Sequence, residues 1–292
     1  MNNKSLKQSL KERLKIVAKE RDLTFEEVWH NLVLERFLAR LCHSKYKTNF
    51  ILKGGTLLAR YLPLGRETKD LDFLVKQLKN SEEFLGKAFD DICRINLSDG
   101  FEFEKVKIGN LPHPHMDYTG IEVLLLAKLG SPQSYIQIDL GFGDIVEPIS
   151  HSLNLTATSK GPLFESQIEV RSYPKEFIFA EKLETVVHRG IGNSRMKDFH
   201  DLISLISLEA SLDRDYTDKV VRAVFVHRQT PLEALPIEFD DEAEVLQSAW
   251  QNYHQKMFAS EKKSIPSAIK DVIELINNWL TINTNLCEVG VL

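Results

Sequence analysis

The chain has 292 residues, 43% hydrophobic and 27% charged, with a formal net charge of −5. That composition is ordinary for a globular protein with room for one large or two modest domains. Three cysteines (Cys42, Cys93 and Cys287), widely spaced and without a CxxC or Cys/His grouping, exclude a disulfide framework or zinc module on sequence grounds. No run of about eighteen apolar residues occurs, so no membrane span is expected. The opening Met-Asn-Asn-Lys-Ser reads as the start of an amphipathic helix, not a signal peptide, and a reducing cytoplasm is the expected location. Residues 1–60 hold thirteen Lys/Arg against six Asp/Glu, so the N-terminal part is basic and the rest acidic. Such an arm suits a nucleic-acid backbone, and equally an acidic domain or partner.

Leu6, Leu10, Leu14, Val17 and Ala18 have helical spacing, and Thr24-x-x-Glu27 opens a second helix as a capping box, with Val28, Leu32, Leu38 and Leu41 on its apolar side. Residues 49–52 read as a short strand ending at Gly54-Gly55. Thr56–Tyr61 reads as a short helix, and Lys69–Val75 as a second strand. Asn80-x-x-Glu83 is a further capping-box candidate. Strands are predicted at Phe101–Ile108, Gly120–Leu129 and Ser134–Leu140, then a Ser/Thr/Gly-rich connection or irregular edge over 151–162. From Tyr173 onward helical spacing dominates, with candidates near 175–190, 195–209, 214–226, 240–260 and 266–282. Helices mixed with consecutive strands imply an α/β (α+β) protein with a mixed or antiparallel sheet.

The most informative stretch is Lys53-Gly54-Gly55-Thr56 followed by Asp70-Leu71-Asp72. Two aspartates at i and i+2 of a strand share a face, about 7 Å apart. Glycines let a backbone approach phosphate oxygens, and paired carboxylates hold a divalent ion on a nucleotide. The plainer reading is a tight turn beside two exposed carboxylates. Asp139, near the end of an alternating strand, is a candidate third acid or proton acceptor. Otherwise Asp139 or Asp144 caps the glycine-rich turn that follows. Lys182 lies on the side of its helix shared with Phe179 and Ile178, where an ammonium needs an anion; a triphosphate would serve, as would a neighbouring glutamate. Arg195, Lys197 and Asp198 read by themselves as a surface charge run. His113 and His115 lack further ligands at metal spacing, His188 and His200 have no obvious partner, and no Gly-Lys-Ser/Thr ending makes a P-loop.

Taken in order, five segments resemble the AbiEii/AbiGii-type nucleotidyltransferase toxins, a MenT-like branch of the DNA polymerase β-like superfamily. They are Leu52–Thr56, Arg66–Phe73, Ile138–Asp144, Ala180–Glu184 and Asn193–Leu202. The resemblance implies a nucleotidyltransferase sheet domain with an N-terminal helical lead-in over 1–165 and a helical C-terminal domain over 166–292. Mg²⁺, or Mn²⁺ in its place, and a nucleoside triphosphate would bind between them. It implies Asp70, Asp72 and Asp139 as metal ligands, Lys182 on the triphosphate and Asp198 as an essential acid. Gly54, Gly55, Thr56, Arg66 and Arg195 would line the nucleotide. It further implies a toxin of a toxin–antitoxin or phage-defence system, transferring a nucleotide to an RNA 3′ end, with the tRNA acceptor end as the expected target and an antitoxin as partner. Where MenT-like relatives can carry a modifiable serine, this chain has Thr68. The competing readings are transfer to a protein side chain and a non-catalytic nucleotide- or RNA-binding module.

Overall fold

The computed structural model describes residues 3–62, 69–111, 120–207, 212–238, 244–259 and 261–287; Arg66, Thr68, His113 and His115 lie outside them. Two compact units are formed: Met1–Arg60, Glu67–Asp144 and Pro148–Tyr173 make the first, and Tyr61–Arg66, Ile145–Glu147 and Pro174–Leu292 the second.

The first unit begins with helices α1 (Asn3–Arg21) and α2 (Phe25–His43). The capping box at the start of α2 is formed: the Thr24 hydroxyl accepts from the Glu27 amide at 3.2 Å, and Glu27 reaches back to the Thr24 amide. Then follow β1 (Phe50–Lys53), α3 (Gly54–Tyr61), β2 (Asp70–Val75), α4 (Glu82–Cys93), β3 (Glu102–Leu111), β4 (Gly120–Lys128) and β5 (Gln133–Gly141). Helix α3 starts at Gly54, so the double glycine lies inside the helix and not before it. The cap of α4 is Ser81, which accepts from the Phe84 amide, and not Asn80 as the sequence pattern suggested. Ser81 is the serine immediately before the first helical residue, the position where a short hydroxyl side chain can reach back to the free amides.

Over 151–162, expected as a connection or irregular edge, lie the edge strand β6 (Ile149–Asn154) and the short strands β7 (Ala157–Thr158) and β8 (Gly161–Pro162); β9 (Gln167–Ser172) follows, where no element was expected. Seven strands make one mixed sheet in the order β3-β4-β5-β2-β1-β9-β6, with β2/β5 and β1/β9 parallel and the other pairs antiparallel. Because β9 lies next to β1, the sheet unit runs to Tyr173.

One sheet face is buried under α2 and α4. Phe50 meets Phe73 and Phe89 edge-on at 5.7 and 5.6 Å, and Phe37 stacks on Phe89 at 5.9 Å. Asp99 ties α2 to the start of β3: it takes Arg36 Nε at 2.7 Å and Arg40 Nη2 at 2.8 Å, with all three side chains almost wholly buried. In the second unit, α5 (Lys175–Arg189) packs on α6 (Met196–Ser207) and α7 (Arg214–His227), and α6 packs on α8 (Glu244–His254) and α9 (Ile269–Asn283). Aromatic contacts anchor it: Phe179 to Trp279 at 5.0 Å and Phe199 to Trp250 at 6.4 Å. No helix among the described residues is long and apolar enough to cross a membrane.

Candidate active site

Strand register gathers the acids of the first unit. Lys53 pairs with Asp72, Asp72 with Asp139, and Asp139 with Glu122. Directly paired residues share a sheet face, so these four form one row across β1, β2, β5 and β4, at about 4.8 Å from strand to strand. Asp70 lies two residues before Asp72 on the same face, paired with Gln137. Their neighbours Leu71, Phe73, Ile138 and Leu140 point the other way and are buried. Like charges opposite one another on adjacent strands destabilise a sheet, so folding alone does not account for Asp72, Asp139 and Glu122 in line.

The turn at the end of β1 fixes Asp72. Gly54 has φ +69°, and a Cβ there would fall 1.9 Å from Asp72 Oδ2. Only glycine satisfies both the backbone and the space. The Thr56 hydroxyl donates to the Asp70 carbonyl at 2.7 Å, which ties α3 to the first carboxylate residue. Thr56 therefore positions Asp70 through the backbone. Gln137 Nε2 donates to Asp139 Oδ1 at 3.0 Å and orients that carboxylate. Lys53 Nζ lies 2.9 Å from Asp144 Oδ2, with the Asp144 side chain 4% exposed.

An all-carboxylate donor set on a shared face suits a hard divalent ion such as Mg²⁺ or Mn²⁺. Asp70, Asp72 and Asp139 fit in donor type and face. They are not drawn together: Asp72 is turned against Gly54 and Asp139 is held by Gln137. Among the described residues no three His, Cys, Asp or Glu side chains are gathered at metal-holding distance. Burial pushes the Cys42 thiol up to about 11 and the Cys93 thiol up to about 12, so neither of these two is a ready nucleophile.

In the second unit, Lys182 lies between two carboxylates, with Nζ 2.9 Å from Asp198 Oδ1 and 2.6 Å from Asp201 Oδ2. Both aspartates have no exposed side-chain surface, and Lys182 has 15%. Asp198 also takes Arg195 Nε at 2.6 Å, and Asn193 Oδ1 holds the Arg195 amide at 2.8 Å. Burial pushes the Asp198 carboxyl up, but Lys182 and Arg195 outweigh it and leave it below the usual carboxylate range. Burial likewise pushes Lys182 down, and Asp201 with Asp198 more than offsets this, so its ammonium is held above the ordinary lysine range. Arg195, 43% exposed at its side chain, is the more exposed of the two cations.

The family model described as nucleotidyl transferase AbiEii toxin, Type IV TA system, matches residues 36–275. The chain belongs to this family. It is a nucleotidyltransferase of the AbiEii toxin family, with the mixed α/β fold expected of one. Among solved structures it is similar to JHP933 from Helicobacter pylori, at 15% identity and a TM-score of 0.44, over 89% of this chain and 95% of that one. It is also similar to an H. pylori protein provisionally described as a nucleotidyltransferase, at 15% identity and a TM-score of 0.43, over 89% of this chain and 98% of that one. No curated protein matches the chain.

In this AbiEii-family protein, the pairings of three polar residues, Lys53 and Glu122 in the first unit and Asp201 in the second, are not evident from sequence. The signal of Lys53 is a lysine ending a buried strand. Glu122 is an acid alternating with Ile121 and Val123, visible as half-buried but not as Asp139's neighbour. Asp201 follows Asp198 by three residues, the spacing that puts both on one side of α6 facing Lys182.

Proposed function

We propose that this nucleotidyltransferase moves a nucleotide from a nucleoside triphosphate to the 3′ end of an RNA, the tRNA acceptor end being the target, with Mg²⁺ as its ion and Mn²⁺ able to replace it. The observation that carries the reading is the direct pairing of Asp72 with Asp139 across β2 and β5, beside Gly54, whose lack of a side chain leaves room for the Asp72 carboxylate. Asp70, Asp72 and Asp139 would hold the ion, which when bound neutralises phosphate charge and polarises the reacting oxygens.

The acceptor's hydroxyl oxygen bonds to the α-phosphorus while the bond from phosphorus to the bridging oxygen breaks. Pyrophosphate leaves with the electron pair, and the hydroxyl proton passes to water. Most of the acceleration then comes from positioning and charge, because no covalent enzyme intermediate is formed. Gly54 and Gly55 give the phosphate chain access to backbone, and Thr56 keeps Asp70 in register. Lys182, which Asp201 and Asp198 keep charged, is assigned to the triphosphate, as are Arg195, whose side chain is 43% exposed, and Arg66. The tRNA target follows the precedent of the family resemblance, and the toxin family implies a cognate antitoxin as partner.

The test is incubation with each labelled nucleoside triphosphate and total tRNA. Label on RNA is the expected result. Label on protein would move the acceptor to a side chain, and binding without label would make the chain a nucleotide-binding module. Asp70→Ala and Asp72→Asn should each lower transfer on the order of 100-fold or more. Full activity in Asp70→Ala would remove the ligand assignment.

A further inference from the structure

Lys53 is the cation of the carboxylate row. It ends β1, pairs with Asp72 and shares that residue's open face. Its ammonium is built into position. Asp144 Oδ2 holds it at 2.9 Å, with 20% of the lysine side chain and 4% of the aspartate side chain exposed. The Tyr173 ring centroid lies 5.6 Å from Nζ, and a Cβ added at Gly141 would approach Nζ to 3.4 Å. The amine therefore lies in van der Waals reach of the end of β5, two residues beyond Asp139. Asp144 also acts on Lys76, whose ammonium burial pushes below the ordinary lysine range and Asp144 draws back up. Two lysines therefore lean on one buried carboxylate beside three acids. In the row of acids its charge offsets their repulsion, and it also stands where a phosphate chain delivered to Asp72 would meet it. An ammonium is a strong, compact phosphate partner.

We propose that Lys53, held by Asp144, binds the phosphate chain of the nucleotide, and that Asp144 is its positioning residue. This rests on the nucleotide-transfer reading for the identity of the ligand, but its test does not need transfer to occur. In the wild-type protein, acylation of amines by an activated ester is followed residue by residue by mass spectrometry, with and without inorganic tripolyphosphate or a non-hydrolysable triphosphate analogue. The expected result is that either probe slows labelling of Lys53 several-fold.

A second measurement is equilibrium binding of the analogue to Lys53→Met, Lys53→Arg and Asp144→Asn. Losing one charge-assisted contact should weaken binding about ten- to a hundred-fold in Lys53→Met. Lys53→Arg should recover part of the loss and Asp144→Asn should show a smaller one, while binding of the uncharged nucleoside stays unchanged. Unprotected Lys53 in the wild type, or wild-type binding by Lys53→Met, overturns the proposal. A chain that binds triphosphate through Lys53 yet labels no acceptor leaves this assignment standing and fails the transfer reading instead.

Discussion

At the scale of single residues, Gly54 is the least replaceable position in the site. Gly54→Ala adds a Cβ 1.9 Å from Asp72 Oδ2 on a backbone at φ +69°. It should cost about 1–3 kcal/mol from the backbone alone and displace the carboxylate. Thermal melting and the labelled-nucleotide assay check this; a variant that melts and transfers like wild type would show that Asp72 has another resting place. The pair Asp70/Asp72 was legible in the sequence because strand alternation is a local rule that needs no partner. Asp139 was legible as a strand-borne acid, whereas its contact with Gln137 and its neighbour Glu122 depend on register, which no single segment encodes. The Lys53–Asp144 pair spans 91 positions and was invisible for the same reason.

At the scale of elements, α5 and α6 are joined by an ionic cluster in which Lys182 serves two buried aspartates. Replacing it with methionine leaves those carboxylates with too little positive charge. Breaking a buried pair from one side typically costs about 3–5 kcal/mol. Lys182→Met should therefore lower the urea midpoint as well as activity. If the midpoint is unchanged and only nucleotide affinity falls, Lys182 acts on the triphosphate without bracing the helices. Helices were the legible elements, since α5, α6 and α7 carry strong 3.6-residue periodicity and boundaries close to those expected. The strands β6 and β9 were not. β6 is an edge strand with only Leu153 fully buried, and β9 interleaves Gln167, Glu169 and Arg171 with its inward Ile168 and Val170.

At the scale of the whole molecule, charge is arranged for internal use. Part of the basic segment 1–60 is paired within the first unit: Arg36 and Arg40 on Asp99, Arg60 on Glu35, Lys53 on Asp144, and Lys45 on Asp91. Both units contain buried carboxylates below their ordinary range. For Asp99, burial pushes the carboxyl up and Arg40 with Arg36 more than reverses it; Asp198 follows the same pattern. A depressed folded pKa gives stability that is complete above the ordinary carboxylate range and lost as pH falls through the depressed value. Acid should therefore unfold both units, and Asp198→Asn should flatten the acid limb of a stability–pH curve measured in urea. An unchanged limb would mean that this carboxylate contributes nothing to it.

The position of β9 also bears on how the protein is made. Strand β1 is complete at residue 53, yet its parallel partner β9 begins at residue 167. On the ribosome, β1 must wait with one side unpaired until more than half the chain has emerged. The row of acids meets a similar delay, because Asp139 emerges long after Asp72. A chain interrupted before that point is an unfinished sheet without its third carboxylate. A partial product therefore lacks one of the carboxylates proposed to hold the ion.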